Sequence, residues 1–237
     1  MDFDDSAADQ LIDACGQAVT TLSEQRGPRA TVVGEALDEF RGPFALAFRR
    51  NAAAQVAARN RLIGALDDLA HQVRFAKTQA AEARHDLKQQ QEKVLWRLLE
   101  DGFVAVSADY VRSMIPGLSH PAQLSEAEVP RPAVVIPAMV FEPHSWATSG
   151  GPGTVSAVPD ALKKAASLIF SQEDAAEIAG QDVLRAIDRF VESCSWVSAD
   201  VSTFAPAVSQ FNQDDNDDAG QLAKMGRPSA RQAKVPI

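Results

Sequence analysis

The first forty residues carry apolar side chains three and four positions apart, the spacing that places them on one face of an α-helix. Gly27 and Pro28 interrupt this stripe, because proline lacks a backbone N–H and crowds the preceding turn. The stripe resumes directly afterwards, so the pattern predicts one broken amphipathic helix over about residues 5 to 40. Its apolar members are Leu11, Ile12, Cys15, Val19, Leu22, Val32, Val33, Leu37 and Phe40.

A chain reversal is predicted at Phe40-Arg41-Gly42-Pro43, because glycine suits the end of a helix and proline suits the first position of the next. Apolar residues then follow a helical period from Phe44 to Leu87, and no proline occurs before Pro116. A second helix over residues 43 to about 100 is expected, on the order of 85 Å long. The first arm is mainly acidic and the second mainly basic, which favours an antiparallel hairpin.

Prolines recur through residues 102 to 158 and break any long helix there. Val134-Val135-Ile136 and Ala138-Met139-Val140-Phe141 resemble strands, but Pro137 between them excludes a central strand. We expect this connector to contain either an extended segment that lies on helices or a strip that binds a partner.

Helical periodicity returns at Pro159 and continues to about residue 195, followed by a turn at Trp196 and a shorter helix from Val201 to about Gln213. From Asp214 the sequence is acidic, and its end lacks an apolar pattern, which predicts disorder. The expected fold is all-α. It comprises a helical hairpin at 1–100, a proline-rich connector at 101–156, a second helical module at 157–218 and a disordered tail at 219–237.

Composition and charge narrow the function classes. Aromatic residues make up only 6% of the 237 residues, which suits elongated helix packing. A net charge of -9 argues against general binding to nucleic acid, since a polyanion would be repelled. No apolar run approaches the roughly 20 residues that span a bilayer, so no transmembrane segment is expected. The acidic start Met1-Asp2-Phe3-Asp4-Asp5 is unlike a signal peptide.

Candidate chemistry is sparse. Cys15 and Cys194 each fall on an apolar stripe and are predicted to be buried free thiols. Glu82 and His85 have the spacing of di-iron helical bundles, but the second such pair and the further glutamates that this site needs are missing. Nucleophile-elbow, phosphate-loop and dinucleotide-binding motifs are also missing. We therefore predict no metal, no cofactor and no enzymatic activity. An enzyme with an unrecognised site is kept as an alternative hypothesis.

The hairpin turn resembles that of the WXG100-like superfamily of type VII (ESX) secretion substrates, in its actinobacterial form that leads polymorphic toxins. In that family a Trp-x-Gly turn joins two antiparallel helices, and an aromatic residue follows. Here Phe40 stands in the tryptophan position, Gly42 in the glycine position, and Phe48 matches the trailing aromatic. Arg41 and Pro43 complete the motif. The second module resembles a further unit of the same style, with a weaker match.

The resemblance implies a secretion substrate, co-substrate or toxin leader that pairs with another WXG100-like protein, with a secretion ATPase or a toxin as further partners. It also implies a protein that is cytoplasmic before export and secreted by a type VII system without a signal peptide. Phe40 in place of tryptophan keeps the packing role but loses the indole N–H. The family's Tyr-x-x-x-Asp/Glu export signal is absent after Tyr110, so export would depend on a partner, or the chain would act as an adaptor.

An interface is expected near the end of the second helix, because that arm is longer than the first. Either the 157–218 module folds back over it or another chain covers it, and we favour a contribution from another helical chain. The alternative is a cytoplasmic coiled-coil scaffold or oligomeric adaptor, hence a homo-oligomer unrelated to secretion. A gene neighbourhood with small WXG100-like proteins would favour secretion. The candidate interface residues are Leu87, Val94, Leu95, Trp96, Leu98, Leu99 and, in the second module, Trp196.

Overall fold

The computed structural model describes residues 2–100, 131–147 and 157–227, with only the backbone described for residues 39 and 94–100. The all-α prediction is confirmed: a long helical hairpin is followed by a second helical module, and the strands are very short. In chain order the elements are α1 (Asp5–Glu24), α2 (Arg26–Glu39), α3 (Pro43–Glu100), β1 (Ala133–Val135), α4 (Pro159–Ser193), β2 (Ser198–Asp200) and α5 (Phe204–Met225).

The first arm consists of α1 and α2, separated by a break at Gln25, slightly before the predicted Gly27-Pro28 position. The reason is that Pro28 cannot donate a hydrogen bond to the carbonyl four residues earlier, at Glu24, so the ladder ends there. In α2 this proline lies in the first turn, where backbone N–H groups have no helical partner anyway. At the other end, the Asp4 carboxylate caps α1 by accepting from Ser6 N at 2.8 Å.

Ion pairs between α1 and α3 show how the two arms of the hairpin are aligned. Lys77 Nζ lies 2.6 Å from Asp9 Oδ1, and Arg84 Nη1 lies 2.7 Å from Asp5 Oδ2. These side chains are partly exposed, so the pairs set orientation more than stability. Since Asp5 is the first residue of α1, the part of α3 after Arg84 continues beyond the start of the first arm. We call residues 85–100 the distal segment of α3.

The second helical module is an α4–α5 hairpin that packs along the first hairpin. Phe3 at the start of the chain contacts Phe190 and Trp196 in edge-to-face geometry, with ring centroids 6.1 and 6.4 Å apart. Buried residues of α1, α3, α4 and α5 form one shared apolar cluster. The face of α1 and α2 is therefore covered by the chain's own second module.

Helices α4 and α5 approach closely at Gly180. A Cβ placed there would lie 2.8 Å from Val208 Cγ1. The valine side chain is restricted at χ1, so it cannot easily rotate away from the clash. We expect Gly180→Ala to lower the free energy of unfolding by about 1–3 kcal/mol, measured by urea denaturation. Gly34, a helical glycine with open space around it, is the matched control. Gly34→Ala should be neutral or stabilising, and equal effects at both sites would refute the tight crossing.

Residues 131–147, which we call the strap, lie in extended conformation on the helices, as one of the two sequence expectations proposed. Within it, β1 pairs in parallel with β2, with Ala133 opposite Ser198 and Val135 opposite Asp200. Val134, Ile136 and Phe141 are buried in the shared cluster. The rest of the predicted connector, including Tyr110, lies outside the described residues.

The last helix is longer than predicted. The sequence suggested an end near Gln213 and a disordered tail from 219, whereas α5 continues to Met225 and buries Leu222 completely. The acidic residues that suggested a tail include Asp215 and Asp218, which point into the protein and find partners there. Residues 228–237 lie outside the described residues.

Candidate protein interface and buried polar layer

The hairpin turn has the geometry that its sequence predicted. Gly42 has a φ of 98°, a left-handed conformation that side chains disfavour. Phe40 and Phe48 are both buried, with ring centroids 6.4 Å apart. Arg41 Nη1 donates to the carbonyls of Leu37 and Phe40, each at 3.1 Å, and so satisfies groups left free at the end of α2. Gly42 O accepts from Ala45 N at 3.1 Å, just after Pro43 begins α3.

The strap adds a contact at this turn that sequence reasoning missed. The Trp146 ring stacks on Phe48, with centroids 6.0 Å apart and planes 15° apart. Trp146 Nε1 also donates to Asp218 Oδ1 at 2.8 Å. The strap therefore joins the hairpin turn to α5.

The predicted interface residues lie in two separate parts of the structure. Leu87 is half-buried in the distal segment of α3, among side chains at 85–93 that are otherwise exposed. The side chains of Val94, Leu95, Trp96, Leu98 and Leu99 lie outside the described residues. Trp196 does not join them, because it is 4% exposed and packs against Phe3 in the core. Its assignment to the interface is therefore corrected: it closes the second module onto the first hairpin.

A layer of buried polar side chains separates two apolar clusters. The larger cluster contains α1 and the strap, and the smaller surrounds the hairpin turn and the start of α4. Burying polar groups is costly unless they are paired, so their partners decide what the layer does. Its members are Gln25, Arg29, Asn51, Gln55, Arg59, Gln172, Asp215 and Asp218.

One half of the layer is built around Asp215. Its carboxylate accepts from Arg29 Nη1 at 3.0 Å and lies 3.4 Å from Arg59 Nη2. Arg59 also donates to the side-chain oxygen of Gln25 and lies over the Phe211 ring, 5.1 Å from its centroid. Burial, with the nearby charge of Arg29, lowers the pKa of Arg59 to about 10. This cluster ties the break between α1 and α2 to α2, α3 and α5.

The other half is built around Asp218, which is also buried. Asn51 Nδ2 donates to Asp218 Oδ1 at 3.0 Å, and Asn51 Oδ1 accepts from Ser145 N at 3.2 Å. His144 Nδ1 lies 2.9 Å from Asp218 Oδ2, an ion-pair distance without the alignment of a good hydrogen bond. Burial alone would lower the pKa of His144, but Asp218, together with Asp214 and Asp215, outweighs burial and the pKa is raised.

The raised pKa of His144 predicts how stability depends on pH. The groups that face it are Asp214, Asp215 and Asp218 on α5, while Arg50 on α3 binds the neighbouring Ser145 carbonyl. A folded pKa above the unfolded value gives stability that is fully present below about pH 6.5 and is lost as pH rises through the folded pKa. We expect His144→Gln to remove this part of the pH dependence.

The measurement is urea denaturation of the wild type and His144→Gln at pH 5.5 and 8.5. Glu173, whose pKa burial and Asp215 raise to about 7, shifts stability in the same direction in both proteins. Subtracting the two profiles gives the contribution of His144 together with its coupling to Asp214. Parallel profiles would show that His144 does not pair with Asp218 in solution.

Gln55 lies in the layer without a hydrogen-bond partner among the described residues for either side-chain amide atom. Leaving a buried polar group unpaired costs about 1–3 kcal/mol. We therefore expect Gln55→Met, of similar shape, to raise the free energy of unfolding by about 1 kcal/mol or more. Asn51→Leu, which removes real bonds one turn away, should lower it instead. If Gln55→Met were destabilising, ordered water would have to satisfy the amide.

The described residues give little sign of redox or metal chemistry. Cys15 and Cys194 are buried free thiols, as predicted, and burial raises the pKa of Cys15 to about 12. Within residues 2–100, 131–147 and 157–227 no three His, Cys, Asp or Glu side chains are grouped to hold a metal. In the same part of the chain no helix is both long and apolar enough to cross a membrane.

Comparison with known proteins yields no relative. No protein-family model matches the chain, and no curated protein or solved structure matches it significantly.

Proposed function

We propose that this chain is a non-enzymatic helical interaction protein that binds another helical protein through the distal segment of α3. The single observation that carries the proposal is the length of α3. Arg84 is opposite the first residue of α1, so the remaining sixteen residues continue about 24 Å beyond the first arm. Side chains at 85–93 are exposed apart from half-buried Leu87.

The position of the partner follows from what the chain already covers. The second module packs on α1 and α2, and the strap packs on α3 between about residues 50 and 72. A partner that bound along the whole hairpin would have to displace both. The distal segment needs no such rearrangement, and its sequence contains five large apolar residues between 94 and 99. Helical segments rich in large apolar residues are typical of sites where one helix binds another.

We further propose that the partner is a WXG100-like protein and that the chain acts in type VII secretion, as a substrate, co-substrate or toxin leader. Support comes from the hairpin turn, in which Phe40, Gly42 and Phe48 have the packing and backbone conformation that the resemblance implies. A cytoplasmic scaffold that forms homo-oligomers through the same distal segment is the second candidate. Both depend on the same surface and differ in the partner.

The test is a purified complex. The tagged chain is used to recover partners from its source cells, and each candidate is then purified and titrated against the chain by calorimetry. A variant with Leu95, Trp96 and Leu99 changed to serine should weaken binding at least tenfold. The control changes Asp67 and Asp68, two exposed residues of α3 outside the distal segment, to serine and should leave affinity unchanged.

The outcomes separate the candidates. Binding to a WXG100-like protein that the serine variant loses supports the secretion proposal. A homo-oligomer in light scattering that the same variant dissociates supports the scaffold. A monomer whose partner affinities are equal for the variant and the control would overturn both.

A further inference from the structure

The strap is held along its length by bonds that do not titrate. Three side chains of α3, eleven positions apart, bind carbonyl oxygens of the strap: Arg50, Arg61 and Gln72 bind those of Ser145, Val140 and Val135, respectively. Guanidinium and amide groups keep their protonation state in the usual pH range, so these bonds do not depend on pH. Residues 142–147, which we call the strap end, depend in addition on a histidine.

The strap end is attached to one buried carboxylate of α5, that of Asp218. Trp146 Nε1 donates to Asp218 Oδ1 at 2.8 Å, and His144 Nδ1 lies 2.9 Å from Asp218 Oδ2. The side chains of His144 and Asp218 are each 3% exposed. Asn51 of α3 donates to the same Oδ1 and also accepts from Ser145 N. Asp218 therefore joins both large side chains of the strap end to the helices beneath it.

The charge of Asp218 is balanced by His144. In the described part of the chain no other basic side chain lies within ion-pair distance of Asp218, since Arg29 and Arg59 pair with Asp215 instead. The contact lacks the alignment of a hydrogen bond, so the attraction between opposite charges is its main component. A neutral His144 would lose that attraction and leave a buried carboxylate without a counter-charge, which is costly.

The charged groups around the imidazole of His144 come from three elements. They are Asp214, Asp215 and Asp218 on α5, Arg50 on α3 beside the Ser145 carbonyl, and Glu142 on the strap itself. Burial lowers the pKa of His144, but the three carboxylates of α5 outweigh burial and raise it. The closed strap end thus favours the protonated histidine.

We propose that the strap end is a pH-sensitive latch, which lies closed on the hairpin turn while His144 is protonated and opens when His144 gives its proton to solvent. Opening stops at Phe141, which is buried against Phe211 of α5 with ring centroids 6.5 Å apart. The remainder of the strap stays in place through β1 and the bonds from Arg61 and Gln72. Segments with few contacts open below the free energy of global unfolding.

Opening uncovers the aromatic rings at the hairpin turn. Phe48 is 1% exposed, and its ring stacks on Trp146 with centroids 6.0 Å apart. Once Trp146 detaches, that face of the Phe48 ring meets solvent, whereas the contact with Phe40 remains. The closed state is fully favoured below about pH 6.5 and is weakened as pH rises through the raised pKa of His144. The latch is independent of the proposed function, which depends on the distal segment of α3.

Hydrogen exchange on the full wild-type chain tests the latch. The Ser145 amide reports the strap end, and the Ile136 amide, which donates to Asp200 O, reports the other part of the strap. Between pH 5.5 and 8.5, after division by the intrinsic exchange rate, the Ser145 amide should lose about threefold or more of its protection. The Ile136 amide should change by less than about twofold. An NMR titration of the His144 ring gives its folded pKa, above which the loss should be complete.

Three variants isolate the charge of the histidine. In His144→Gln the protection of Ser145 should no longer depend on pH, although Glu173, whose pKa burial raises to about 7, is still present. Asp218→Asn keeps the shape of the side chain without its charge, so it should lower the pKa of His144 and reduce the pH effect. His85→Gln removes an exposed histidine of α3 away from the strap. It is the matched control and should behave as the wild type.

Three results would overturn the proposal. One is an equal loss of protection at Ser145 and Ile136, because a larger unit would then open. Another is protection at Ser145 that stays constant while the His144 ring titrates. The third is a pH effect of wild-type size in His144→Gln, because a different group would then be responsible. If neither His144→Gln nor Asp218→Asn folds, the comparison of the two amides in the wild type still decides whether the strap end opens alone.

Discussion

Asp215→Ala is expected to lower the free energy of unfolding by about 3–5 kcal/mol, among the largest effects of any single change in this chain. The Asp215 carboxylate is the buried anion that faces both Arg29 and Arg59. Its removal would leave two guanidinium groups buried near each other without that counter-charge. Both arginines keep their proton in the usual pH range, so the folded state is destabilised by repulsion between the two charges and by their desolvation.

Thermal unfolding followed by circular dichroism measures this effect. For a chain of this size a loss of about 3–5 kcal/mol corresponds to a midpoint lower by roughly 10 °C. Asp217→Ala, two positions away on the exposed face of α5, is the control and should stay within about 0.5 kcal/mol of the wild type. If both variants melted together, Asp215 would not be buried and α5 would not pack as described.

Replacing the whole cluster tests a second consequence. With Arg29→Met, Arg59→Met and Asp215→Leu combined, no unpaired charge remains at the three positions, and stability should recover most of what Asp215→Ala loses. The layer also separates the two apolar clusters, so this triple variant is expected to fix the register of the helices less strictly. Amide spectra with broader or doubled peaks would report that loss. A triple variant less stable than Asp215→Ala would contradict the pairing argument.

The hairpin was predictable because its signals are local. Gly42 and Pro43 mark the reversal through their backbone preferences, and Phe40 and Phe48 flank it at positions whose packing follows from the turn. The extent of α3 followed from the long interval without proline. Each of these inferences needed only neighbours within a few turns of helix.

The polar layer was not predicted because its partners are remote in sequence. Asp215 was expected in the acidic stretch just after the predicted end of the last helix, although it follows Val208 and Phe211 at helical spacing and precedes Leu222 on the same stripe. Arg29 likewise occupies a stripe position between Leu22 and Val32. A charged residue on an apolar stripe is a signal of a buried pair, but one helix alone does not identify the partner. Only the packing of four helices brings these groups together.

The contacts of the strap were also not predictable, because its partners are remote in sequence. Its two strand-like apolar runs were visible in the sequence, and an extended segment on helices was one of two expectations. The groove that receives it was not visible, because the spacing of eleven between Arg50, Arg61 and Gln72 has meaning only beside an extended chain. His144 and Trp146 gained their partners on α5 for the same reason.

Phe48→Ala is expected to cost about 3–5 kcal/mol, because a fully buried phenylalanine leaves a cavity that the surrounding helices cannot close. Phe48 contacts Phe40 on one side and stacks on Trp146 on the other, so its loss affects both the turn and the strap. Phe40→Ala should also lower the midpoint clearly, but without directly disturbing the Trp146 stack. The smaller apolar cluster at the hairpin turn depends on these three rings.

Urea denaturation of Phe48→Ala measures the cost, and Leu46→Ala is the matched control. Leu46 is two positions away on α3 and 67% exposed, so its truncation should change stability by less than about 0.5 kcal/mol. Hydrogen exchange shows which part of the strap is affected. In Phe48→Ala the Ser145 amide beside Trp146 should lose more protection than the Val135 amide at the far end of the strap. Equal stability of the two variants would place Phe48 on the surface and remove the turn motif from the core of the hairpin.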